Sequence, residues 1–477
     1  MTMTDLSTGH DADGNTMTAD AETIALYDRA IDQLLRYELE LVDTATALTT
    51  SVVERGEQPA PMSLALGAYL TLTSTDPADL PVAAFAHALL VESPMNERER
   101  LHSQAVGAWI EGSWTGAGRI LDEILVRWPT DLLALVIGHQ LDFFVGDAQS
   151  LRDRPLRTLR EMDPDHPHAA FVRGMTAFGL EESGHYAQAL DAGLAAVAAH
   201  PEDIWAIHAV AHTYEMQGLV AEGIDFMRHG GGRWESGSLF TMHNWWHLAL
   251  FLLEAGRIDE VIDIFDTRVR FEGANDVPLE LVDASALLWR LHLDGVDTGE
   301  RFADVARAWQ PVATAAPWYT FNDLHATMAM VGADRRDEAV AVVDRMANWL
   351  ATTGSGTNAE MTGHVGLPAC RAVIAHHDGR YDDVIAELYP IRRQLQIMGG
   401  SNAQRDVLQR TLVEAALGAG RNDLALALTS ERLGVRESGV YGWTRRARAL
   451  RGLGDTAGAA AADEAAARHR ASFTATD

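Results

Sequence analysis

His208, His212 and Glu215 stand at i, i+4 and i+7 of a single apolar stretch. On a helix that spacing stacks all three on one face. His243 and His247 repeat the i, i+4 pair 35 residues further on. Two imidazoles one helical turn apart are how a helix offers nitrogen ligands to a metal ion. The same groups with a carboxylate beside them are also the parts of general acid–base catalysis. With 19 histidines in 477 residues, chance alone gives roughly one His-x-x-x-His pair. The bare pattern is therefore weak, and its value depends on where the elements place it.

The elements come from internal similarity. Residues 243 to 265 (HNWWHLALFLLEAGRIDEVIDIF) carry Trp245, Leu248, Ala249, Leu252, Gly256, Val261 and Phe265. That is the tetratricopeptide order of large and small residues across two helices. A turn residue between the helices anchors each unit: Gly112, Gly146, Gly184, Gly218, Gly256, Gly295, Asp334, Gly379, Gly420 and Gly454. Successive anchors lie 34 to 45 residues apart, which fits a 34-residue helix pair with loop insertions. Apolar spacing is helical throughout, and strand-like alternation is scarce. The fold expected is an all-α, tetratricopeptide-repeat-like helix-hairpin superhelical solenoid. It spans residues 22–470 as about ten helix pairs plus N-terminal helices. Residues 1–21 and 471–477 are expected to be disordered tails.

In such a stack the first helix of each pair lines the concave groove. Counted back from the anchors, His208, His212, Glu215, His243, Trp246 and His247 fall on that inward stripe. Glu181 and Glu182 fall there before Gly184, Asp283 before Gly295, and Asn322 with His325 before Asp334. Packing between side chains is the competing explanation for all of them. Ser401 and Gln404 read as a capping box, with Arg405 and Asp406 directly behind. Those two could hold a ligand carboxylate or each other. Gly230, Gly231 and Gly232 form a loop that could serve as a lid. Cys370 reads as a buried small residue.

Four blocks within this frame, AFGLEE (177–182), HAVAHTYEMQG (208–218), HNWWHLAL (243–250) and GGSNAQRD (399–406), resemble the tetratricopeptide repeat protein 38 family in order and spacing. Thr213 and Tyr214 are small departures. The resemblance covers most of the chain. It implies a fold similar to other tetratricopeptide solenoids, and it implies that these blocks are the family's own signature, apart from repeat scaffolding. It implies no defined activity.

Two functions remain open. The first is a small-molecule site in the groove, possible in two chemical forms: acid–base hydrolysis, or hydrolysis with a divalent metal (zinc, manganese or iron). His208, His212, Glu215 and Glu181 are its catalytic candidates, and His208, His212, His243 and His247 its metal ligands. Trp246, Asp283, Asn322, His325, Arg405 and Asp406 would position the substrate. The second is a protein-interaction scaffold holding a peptide in the groove. Composition narrows partners and compartment. All 38 basic residues are arginine, so Schiff-base and P-loop lysines are excluded. A net charge of -30 argues against nucleic acid and against anionic membrane surfaces. One cysteine, no apolar span and no signal-like N-terminus place the protein in the cytoplasm.

Overall fold

A computed structural model describes residues 8–230 and 233–473. Gly231 and Gly232 of the glycine loop, and tail residues 1–7 and 474–477, lie outside the described residues. The fold is an all-α solenoid of helix hairpins. Among the described residues strand is confined to one short antiparallel pair, Gly9–His10 with Thr16–Met17.

The anchors explain the hairpins. All ten, from Gly112 to Gly454, have positive φ, between 57° and 82°. The chain therefore leaves each first helix through one left-handed residue, the usual helix C-terminal stop. Asp334 is the only anchor with a Cβ, and aspartate is among the few residues that tolerate this region. Where helices meet, small residues set the distance. A Cβ on Gly179 would lie 2.4 Å from the carbonyl oxygen of Leu151 and 2.5 Å from Cα of Arg152. Only glycine lets Ala169–Glu182 rest directly on the backbone of Ala148–Glu161.

The chain divides into two compact units. The first holds residues 1–209, 233–241 and 355–357; the second holds 210–232, 242–354 and 358–477. In the first unit, residues 8–20 correct the expectation of a disordered tail. Met17 is fully buried. Thr18 donates from its backbone N–H and its hydroxyl to Glu99, both at 2.7 Å. Asp11 pairs with the buried Arg98 at 3.2 Å. Asp11, one of the acidic residues that made this segment look solvated, neutralises an interior arginine, and Thr16 and Thr18 meet the start of helix Glu97–Ile110. In the second unit the chain closes on Thr456–Phe473, whose Ala459 and Ala462 pack on Ala447 and Leu450.

Candidate functional site

Five helices of the second unit carry the inward polar residues. His212 and Glu215 lie on Ile204–Gln217; His243, Trp246 and His247 on Thr241–Ala255. Asp283 and Arg290 lie on Pro278–Leu293, Asn322 and His325 on Thr320–Gly332, and Gln404 on Asn402–Gly418. The first four are otherwise largely apolar, so burial of their neighbours carries these side chains inside, whereas Asn402–Gly418 also buries Arg405, Asp406, Arg410 and Glu414. His212 and His247 are fully buried. The His243 side chain keeps 14% of its surface and is the open edge of the group.

The hydrogen bonds fix the chemistry. His247 Nδ1 lies 3.0 Å from Glu215 Oε2, and His243 Nδ1 lies 2.5 Å from Asp283 Oδ2. A carboxylate only accepts, so each Nδ1 carries the proton and donates it. Each Nε2 points away from its carboxylate, and the two Nε2 atoms face one another at 3.2 Å, within hydrogen-bond distance. The third ring, His212, stands 4.4 Å from His247 between centroids. One ligand nitrogen from each of His212, His243 and His247 lies within 4.8 Å of the others. Burial holds His247 well below the usual imidazole range, helped by His212, His243 and the Arg290 guanidinium. A proton on one ring or a metal ion between the two nitrogens would each join them. Two nitrogens on a tetrahedral ion with bonds of about 2.0–2.1 Å stand about 3.3 Å apart, close to the separation seen.

Gln404 is the functional residue that sequence reasoning passed over. It was read only as a cap, and the cap is there: its Oε1 accepts from Ser401 N–H at 3.0 Å. Its amide nitrogen turns the other way and donates to Asp283 Oδ1 at 3.3 Å. One side chain thus ties the GGSNAQRD block to the carboxylate that orients His243. Nothing in a capping-box pattern announces the second bond, since it needs a partner 121 residues away.

The other candidates sort by what holds them. Trp246 stacks on His243 with centroids 5.3 Å apart, and the guanidinium of Arg290 lies 5.4 Å from its ring. Arg290 is buried, its pKa pushed down to about 10 by desolvation, and it donates to the Ala286 and Ala403 carbonyls. His325 donates from Nδ1 to the Phe321 carbonyl at 2.7 Å. Its Nε2 is buried with no hydrogen-bond partner among the described residues, and burial lowers its pKa to about 4. Asn322 is buried one turn before it. Arg405 is taken up by its own turn, donating to the Gly399 and Gly400 carbonyls and to Asn402 Oδ1. Asp406 is buried among Arg410, Arg432 and Arg436. Burial raises the Asp406 carboxyl, these arginines outweigh it, and the group is held well below the carboxylate range. Next to Glu215, a small cavity of about 20 Å³ is lined by Glu215, Glu254, Arg290, Arg410 and Arg436.

Glu181, Glu182 and His208 belong to the first unit. The two glutamates are buried. His208 sits among Phe178, Trp205 and Phe240, each about 5 Å away between ring centroids. It precedes His212 by one turn on the same continuous helix. Cys370 is buried against Met346, and burial pushes its thiol up to about 12, so it is inert as a nucleophile.

No protein-family model matches the chain. Among solved structures, the chain is similar to the human IFIT1 dimer with m7Gppp-AAAA. The TM-score is 0.41 at 14% identity, over 97% of this chain and 96% of that one. A monomeric IFIT1 mutant with Gppp-AAAA gives 0.37 at 14% identity and the same coverage. The Naa15/Naa10 complex bound to HypK-THB gives 0.25 at 12% identity, over 86% of this chain and 63% of that one. The chain is a tetratricopeptide-like helical repeat protein. The likeness extends to fold alone, and it corrects one expectation. The exclusion of nucleic acid on net charge does not stand, because solved proteins sharing this architecture hold capped RNA. No helix of the described residues is long and apolar enough to cross a membrane.

Proposed function

We propose that His212, His243 and His247 form a transition-metal site within a small-molecule hydrolase of the tetratricopeptide repeat protein 38 family, working in the cytoplasm. The observation that carries this reading is the pair of facing Nε2 atoms, each ring anchored at Nδ1 by its own carboxylate. Carboxylate–imidazole pairs of this kind fix the tautomer and ring direction of metal-bound histidines. An all-nitrogen inner set suits zinc or ferrous iron better than manganese, which favours oxygen ligands. When bound, such an ion polarises a carbonyl and lowers the pKa of a coordinated water. The chain's own residues do the rest. Glu215 and Asp283 hold the imidazole protons at Nδ1. Trp246 walls the His243 edge, where the site is open. The cavity beside Glu215 is large enough for a water molecule, with Arg290 and Arg436 in its lining. His325 and Asn322 are the candidate substrate side.

The test is metal content by mass spectrometry on untagged protein purified without chelator. A His243→Ala/His247→Ala double variant is measured beside it. Near-stoichiometric zinc or iron in the wild type and none in the variant is expected. No metal in either, even after reconstitution, overturns the metal site. A shared proton would then sit between the rings, and a peptide-holding groove would become the better reading.

A further inference from the structure

Helix Leu80–Glu92 (LPVAAFAHALLVE) has an unusual balance. Its sequence is almost wholly apolar, yet only Ala83 and Leu90 are buried. Val82, Phe85 and Val91 keep 58%, 61% and 57% of their surface. Pro81, Ala84, Phe85, Ala88 and Val91 are exposed at i, i+3, i+4, i+7 and i+10, one continuous stripe. That is the spacing by which a helix normally meets a core, here turned outward. His87, the one ionisable residue between Leu80 and Val91, points inward, its Nε2 3.0 Å from the Ser103 carbonyl oxygen. Asp79 and Glu92 flank the stripe, and no charge lies on it.

We propose that this helix is the contact between two copies of the chain. Charge selects the partner. At a net charge of -30, copies repel one another over most approaches, and an uncharged face is where they meet at least cost. A basic partner would be drawn to the acidic surface and would gain nothing here. An anionic membrane is excluded by the same sign and by the lack of flanking basic residues that interfacial helices use. The stripe also complements itself. Phe85 is a knob, and Ala84 with Ala88 is a hollow one turn long. A two-fold pairing of the helix with its own copy seats each Phe85 over the other copy's alanines. The helix is about 20 Å long, so its face falls well below the roughly 800 Å² per partner of a standard interface. The association is therefore weak and concentration-dependent.

The experiment is sedimentation equilibrium of the full chain from low to high micromolar concentration, at low and at high salt. The wild type is expected to rise from one chain of 51.9 kDa toward twice that mass, at lower concentration in high salt, where repulsion is screened. Phe85→Glu is expected to stay monomeric, with at least tenfold weaker association and an unchanged melting temperature. Val126→Glu, at a residue 65% exposed on another helix, is expected to associate as the wild type does. A wild type monomeric at every concentration and salt overturns the proposal. So does a Phe85→Glu variant that dimerises like the wild type.

Discussion

Each unit holds a buried network of carboxylate and imidazole, and the two end differently. In the first unit Asp131 is fully buried and accepts from Arg98 Nε at 2.6 Å, His102 Nε2 at 2.9 Å and the Ala134 backbone N–H at 2.9 Å. The Tyr69 hydroxyl lies 3.2 Å from His102 Nδ1 and donates to the His102 carbonyl at 3.1 Å. In the second unit Glu215 and Asp283 each face one imidazole Nδ1, and the two Nε2 atoms face each other. The residue types are nearly the same. What differs is where each network ends. The first ends on an arginine and a backbone N–H; the second ends on facing imidazoles and is the open one, where the proposed metal would sit.

Breaking the closed network should give the largest effect. Removing one partner of a buried ion pair costs about 3–5 kcal/mol, so Arg98→Ala should lower the urea midpoint steeply while metal per folded chain stays unchanged. A loss near zero would show that the network holds nothing. Acid should act on the same bond. Burial raises the Asp131 carboxyl, but Arg98 and His102 outweigh it and the group is lowered. Its contribution is thus fully present above its unfolded value near 3.8 and drains away as pH falls below that toward the folded value. Asp131→Asn should flatten this limb of the stability–pH curve. The open network should behave inversely. His243→Ala/His247→Ala should abolish metal binding yet cost less stability than Arg98→Ala, as judged by metal analysis and urea unfolding on the same samples.

The sequence carried the frame of this comparison further than its chemistry. All ten anchors were legible because a left-handed turn demands glycine or a close substitute, a local requirement visible one residue at a time. The His243–His247 pair was legible for the same kind of reason, being a matter of helix periodicity. The partners of those histidines were only partly so. Asp283 was marked by its repeat position, but its bond to His243 crosses 40 residues and the bond from Gln404 crosses 121. Tertiary packing decides such contacts, and no local pattern encodes them. Residues 8–20 failed for a related reason: acidic composition looked like solvation until a buried arginine was there to meet it.

Gln404 sharpens the comparison at intermediate size. Gln404→Glu keeps an oxygen for the Ser401 N–H, so the cap survives. It replaces the donor to Asp283 with a second carboxylate. Losing an outer-shell partner of a metal-bound histidine typically weakens affinity by about 10–100-fold. Zinc affinity by chelator competition should fall within that range while helical content and melting temperature hold. An unchanged affinity in a zinc-binding wild type would detach Gln404 from the site and leave the metal reading standing.

The smallest effect should come from Tyr69→Phe, and it tests whether the closed network is closed. The substitution keeps the ring that packs near Trp109, 6.5 Å away between centroids, and removes only the hydroxyl. The His102 carbonyl and Nδ1 would then lose their contact with the hydroxyl, at a cost of about 1–3 kcal/mol. That loss should be nearly absent in an Arg98→Ala background, where Asp131 and His102 have already lost their arrangement, so a double-mutant cycle by urea unfolding reads the coupling directly. Additive losses would mean that Tyr69 and Arg98 stabilise the first unit separately. The contrast would then be between one open network and a set of independent bonds, since coupling among its members is what makes the first network a single closed device.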